Sequence, residues 1–139
     1  MSSEHDLSYQ SARVAMCERA GRLVAVRHGC YPELPDTVAA VVLSFESGEW
    51  LVAVCSDDDT VELQELSVSR HREFDYRDPA EGSAWGPALG KSVLWAWTLE
   101  NQQGYVDGVQ FSFGEGGHEV CQVQLLAIGS SWRIHGWGP

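Results

Sequence analysis

Basic residues are scarce in this chain: nine Lys and Arg stand against twenty Asp and Glu, a formal net charge of −11 at pH 7. Phosphate backbones are held by clustered cations, so nucleic acid is not an expected partner. An anionic membrane surface is disfavoured on the same ground. Long apolar runs are missing too, since no stretch approaches the roughly 18 uninterrupted apolar residues of a membrane helix. The first residues, Met1-Ser2-Ser3-Glu4-His5-Asp6, have neither a basic start nor an apolar run, and no secretory signal is read there. Cys17, Cys30, Cys55 and Cys121 include no C-x-x-C spacing. Their even count permits disulfides, but without an export signal reduced, buried thiols in a cytoplasmic protein are expected. No G-x-S-x-G, no P-loop and no G-x-G-x-x-G after a strand occurs, so no cofactor is implied.

What the chain does contain is period-two alternation. Residues 91–113 hold two alternating apolar runs around the polar turn 100–104, the signature of a β-hairpin. By parity Val93, Trp95, Trp97 and Leu99 share one apolar face, and Tyr105, Val109, Phe111 and Phe113 share one face of the partner strand. Asp107 falls among the latter. Further strands are expected over 23–26, 38–45, 50–55, 60–66, 119–128 and 131–137, separated by turns every eight to twelve residues or so. Residues 30–36 carry two prolines and read as a loop. Residues 69–90, with Arg70, His71, Arg72 and Arg77, read as a long loop with room for a helical turn. A short helix is expected over 9–20, closed by Gly21. The fold class is therefore α+β, mainly antiparallel β, with a meandering sheet of about six to eight strands and one short N-terminal helix. Residues 1–8 are expected to be loose and 9–139 to form a single β-rich domain.

Candidate chemistry concentrates at two places. Asn101, Gln102, Gln103, Tyr105 and Asp107 form a polar-aromatic cluster that could hydrogen-bond a ligand. The alternative is a plain hairpin turn in which Gly104 takes positive φ. A carboxylate on an apolar face must be paired or raise its pKa, which singles out Asp107. In the last strand Trp132 and Ile134 face one side, and Arg133, His135 and Trp137 the other. An edge strand displaying Arg, His and Trp suits a contact patch. No catalytic residue emerges. Asp57-Asp58-Asp59 lacks the spacing of a calcium loop and reads as a turn. His28, Cys30, His118 and Cys121 would have to assemble as a zinc site, but in a strand His118 and Cys121 point to opposite faces, so no metal is expected.

The chain resembles a family of small bacterial domains of unknown function. The resemblance is carried by Ser44-Phe45-Glu46-Ser47-Gly48, Asp57-Asp58-Asp59-Thr60, Gly90-Lys91 leading into Trp95-Ala96-Trp97, Asn101-Gln102-Gln103-Gly104-Tyr105-Val106-Asp107, and residues 124–134. It implies no activity to carry over. In size, acidity and meander the chain is also similar to bacterial toxin-immunity proteins. The leading expectation is an immunity-type protein-binding module that occludes a basic toxin, steered by charge and docked through exposed aromatics. A small-molecule or enzymatic pocket near Asn101, Gln103, Tyr105 and Asp107 is one alternative, and a structural homodimer joined through the last strand is another.

Overall fold

A computed structural model describes residues 17–55, 60–65, 74–129 and 131–138. Among the described residues the alternating segments form nine strands: β1 Leu23–Cys30, β2 Ala40–Phe45, β3 Gly48–Cys55, β4 Thr60–Glu65, β5 Asp75–Arg77, β6 Ser92–Glu100, β7 Val106–Glu115, β8 His118–Ile128 and β9 Ser131–Trp137. Every strand pairing is antiparallel. The strands lie in two sheets, one ordered β4-β3-β2-β1-β5 and the other β6-β7-β8-β9. The single meandering sheet expected from the turn spacing is thus two sheets, a β1–β4 meander with β5 added beside β1 and a β6–β9 meander. The break falls in the segment after β5, where Pro79, Pro87 and a 3-10 turn at Gly86–Ala88 prevent a ladder from continuing.

The expected N-terminal helix is not borne out over its described part, because Cys17–Arg19 is one 3-10 turn. Gly21 does take the left-handed φ of +90° beyond it. Residues 9–16 and 1–8, the Asp57-Asp58-Asp59 turn, and Arg70, His71 and Arg72 lie outside the described residues.

Burial explains the layering. Val41, Leu43 and Phe45 of β2 and Trp50, Val52 and Val54 of β3 face the second sheet. They join Val109, Phe111, Phe113, Val123 and Leu125 in one core. The intervening residues Ala40, Val42, Leu51 and Ala53 fill a second cluster with Phe74 on the far side of the first sheet. Strands apolar on both faces read as nearly continuous apolar runs, as AVVLSF does here. Phe111 and Phe113 are fully buried, and burying each contributes on the order of 2 kcal/mol. Two tryptophans lock the layers. The Trp132 indole N–H donates to the Val52 carbonyl across the sandwich at 3.0 Å. Trp85, from the connecting segment, packs edge-on against Phe113 with ring centroids 6.4 Å apart. Its N–H donates to His28 Nε2 at 3.0 Å.

The hairpin forms where the alternation places it, but one side of it faces the other way. Val93 pairs with Phe113 and Trp95 with Ser112, so Leu94 is the extra residue of a bulge. A one-residue slip sends every later side chain to the opposite face. Val93 stays in the core and Ala96 packs against it. Trp95 and Trp97 turn outward, 63% and 37% exposed. A second irregularity pairs Glu100 with Val106 and Leu99 with Gly108, which leaves Asp107 unpaired. Val106 enters the core where parity puts Asp107, and Asp107 is half-exposed.

Candidate functional site

The outer face of the second sheet is built in rows across the strands. One row runs Trp95, Ser112, Gln122, Trp137 and the next Trp97, Gln110, Gln124, His135. A third runs Leu99, Gly108, Leu126, Arg133. Gly108 is the place where Leu99 and Leu126 close in, since a Cβ there would sit 3.0 Å and 2.9 Å from their methyl groups. In the first row tryptophans stand on both edge strands, about 14 Å apart at ordinary strand spacing.

Between the aromatic edges lies a continuous chain of side-chain hydrogen bonds. Gln124 Nε2 donates to Gln110 Oε1 at 2.9 Å. Gln110 Nε2 donates to Gln122 Oε1 at 2.5 Å. Gln122 Nε2 and the Ser112 hydroxyl both donate to Glu119 Oε1, at 2.9 and 2.5 Å. The chain runs in one direction and ends on a carboxylate, so each bond polarises the next. Ser112 and Gln110 are buried beneath it, 0% and 8% exposed. Their polar atoms are accounted for by these partners, and the network holds the floor of the face in one arrangement.

The expected site residues fall in two places. Arg133, His135 and Trp137 lie on β9, an edge strand, and belong to the outer rows, while Trp132 faces the core, as alternation requires. Asn101, Gln103, Tyr105 and Asp107 meet at the end of the sheet. There they line an open depression of about 460 Å³ with Ala127, Ile128 and Gly129 of the β8–β9 turn. Gln102 is exposed in the turn and does not line it. Asn101 organises that turn: its Oδ1 accepts the backbone N–H of Gln103 at 2.9 Å and of Tyr105 at 3.2 Å. Gly104 has φ of +85°.

Sequence parity missed Trp95 and Trp97 because of the bulge, and passed over Gln110, Ser112, Glu119, Gln122 and Gln124. The signal for the glutamines is the polar member of each alternating run, as in VQFSF and VCQVQL.

Among the described residues the remaining titratable groups give no reactive constellation. Cys17, Cys30 and Cys121 are free thiols in the interior. Burial, with Glu18 beside it, pushes the Cys17 thiol up to about 12. Cys121 is raised by burial and then by Glu119, against a smaller opposite pull from Lys91. Both thiols stay protonated and poor nucleophiles at neutral pH. His118 is exposed at the start of β8 while Cys121 sits in the core. Among the described residues no three His, Cys, Asp or Glu side chains gather at metal-binding distance. Nor is any helix there long and apolar enough to cross a membrane.

These features define an antiparallel, two-layered β protein with a tryptophan-edged polar face. The model of a family of unknown function, DUF6334, matches residues 17–138, and the chain belongs to that family. No curated protein and no solved structure matches it.

Proposed function

We propose that the chain is a protein-binding module whose docking surface is the outer face of β6–β9. The observation that carries this reading is the exposure of Trp95, Trp97 and Trp137 on the two edges of a floor held rigid by hydrogen bonds. Exposed Trp around a preorganised centre has the composition of a binding hot spot, and a fixed floor lowers the ordering cost of association. The net charge of −11 favours a basic protein as the partner and speeds its encounter. The concrete form is an immunity-type protein that occludes a basic toxin in the cytoplasm. In the test, the tagged protein and a Trp95→Ala/Trp137→Ala variant are used to capture partners at low and moderate salt, and captured proteins are rebound in purified form. A basic protein held more tightly at low salt and lost with the double variant supports the reading. Partners that ignore both tryptophans overturn it.

A second reading, a small-molecule site, draws on the depression lined by Asn101, Gln103, Tyr105 and Asp107. It is the weaker one, because the Asn101 oxygen already serves the turn.

A further inference from the structure

Strand β1 is paired unevenly. On one side it runs beside β2 from Leu23 to Gly29. On the other, β5 covers only His28–Cys30. At its start Leu23 is bonded to the connecting segment, its N–H donating to the Lys91 carbonyl and its carbonyl accepting from Gly90, both at 2.8 Å. Peptide groups alternate sides along an antiparallel strand. Leu23 and His28 both face away from β2, and with the irregularity between Leu23 and Ala25 the residue between them that also does so is Val26. Neither β5 nor the connecting segment pairs with Val26.

A cleft of about 350 Å³ lies along this bare stretch, lined by Val24, Val26, Pro79, Trp85 and Leu89 among others, and mostly apolar. The loop that forms its far wall bonds to itself: Ser83 N–H donates to the Ala80 carbonyl and Gly86 N–H to the Ser83 carbonyl. The floor is rigid because Trp85 is held by Phe113 and His28. Val24 and Leu89 remain 62% and 45% exposed at the mouth. The charged residues lining the cleft are Asp78 and Glu81, with no Lys or Arg among them.

A strand edge whose donor and acceptor at Val26 are taken up by no strand or loop pairing among the described residues, with apolar walls and a carboxylate rim, describes one kind of occupant. We propose that this cleft is a strand-addition site that takes an extended peptide segment of alternating apolar and basic residues. The segment's backbone bonds Val26, its apolar side chains cover Val24 and Leu89, and its Lys or Arg reaches Asp78 and Glu81. The site is separate from the tryptophan face and does not depend on it.

The position for a blocking substitution is Gly86. A Cβ there meets nothing within 4 Å beyond its chain neighbours, and its backbone has no left-handed φ, so Gly86→Leu places a bulky side chain in the lining of the cleft. Pro87 follows it and disfavours a helical turn at a residue with a Cβ, so the fold of this variant is checked first. The test is an amide-resolved NMR titration of the whole chain with the peptide acetyl-Val-Arg-Val-Arg-Val-amide and its glutamate counterpart. Saturable shifts at Val24, Val26, Ser83 and Leu89 with the arginine peptide are expected, absent with the glutamate peptide. Gly86→Leu should abolish them, and Asp78→Asn/Glu81→Gln should weaken binding about three- to tenfold at low salt. No saturable shift with the arginine peptide, equal binding of both peptides, or binding unchanged in the charge-neutralised variant overturns the proposal. That last arm stands even if the leucine variant fails to fold.

Discussion

At the scale of single residues, His28 shows how burial turns into pH dependence. Its Nε2 accepts the Trp85 indole N–H, so the neutral ring carries its proton on Nδ1. Burial lowers its pKa from the ordinary 6.5. Above that value neither the folded nor the unfolded state binds the proton. As pH falls below it, the unfolded state takes up a proton that the folded site refuses, and stability declines until the lowered folded pKa is reached. Urea unfolding should therefore show a lower midpoint at pH 5.5 than at pH 7.5. In His28→Gln, which keeps an acceptor but cannot titrate, the difference between the two midpoints should shrink. An equal difference in both proteins would remove His28 as the cause.

At the scale of elements, the glutamine chain and the tryptophans beside it should behave oppositely under mutation. Gln110→Leu leaves the Gln124 amide and the Gln122 oxygen without the partner they share. An expected loss of about 1–3 kcal/mol follows, read by denaturant unfolding. Trp95→Ala removes a side chain that is mostly in solvent, and should change stability by no more than about 0.5 kcal/mol. If the two variants cost the same, the network adds nothing beyond ordinary surface polarity. The edges of this sheet also differ. Glu18 accepts the Ala96 N–H at 3.0 Å, so a side chain occupies part of the β6 edge, which is one way proteins blunt an edge strand. β9 lies at the other edge. A homodimer joined through the last strand would use it, and sedimentation across a range of concentrations decides whether one forms.

At the scale of the whole molecule, the two sheets are held by a shared apolar core and by a small number of polar contacts across it. Trp132 makes the best defined of these, from β9 to the β3 backbone. Trp132→Phe keeps most of the buried area but removes the indole N–H that bonds the Val52 carbonyl between the layers. An expected cost of about 1–3 kcal/mol, with fluorescence and far-UV dichroism melting together, fits a bond that couples both sheets. Separate transitions would mean that the layers unfold independently.

Strand positions were legible in the amino-acid order, because period-two alternation between turn residues is a local property. The expected strands over 38–45, 119–128 and 131–137 overlie β2, β8 and β9. The outward set Arg133, His135 and Trp137 followed from the same alternation. The short β5 was hidden inside a segment read as loop, since three residues are too few to display a period. Tertiary structure decided the rest. Whether consecutive hairpins continue one sheet or start a second depends on which apolar faces cover each other, a contact between residues far apart in the chain. The same holds for the bulge at Leu94, set by how β6 meets β7 beside Gly114, where a Cβ would collide with Leu94 and the His118 carbonyl. That one extra residue moved Trp95 and Trp97 from the expected core to the surface, so the face proposed as the binding site exists through pairing that local sequence does not encode.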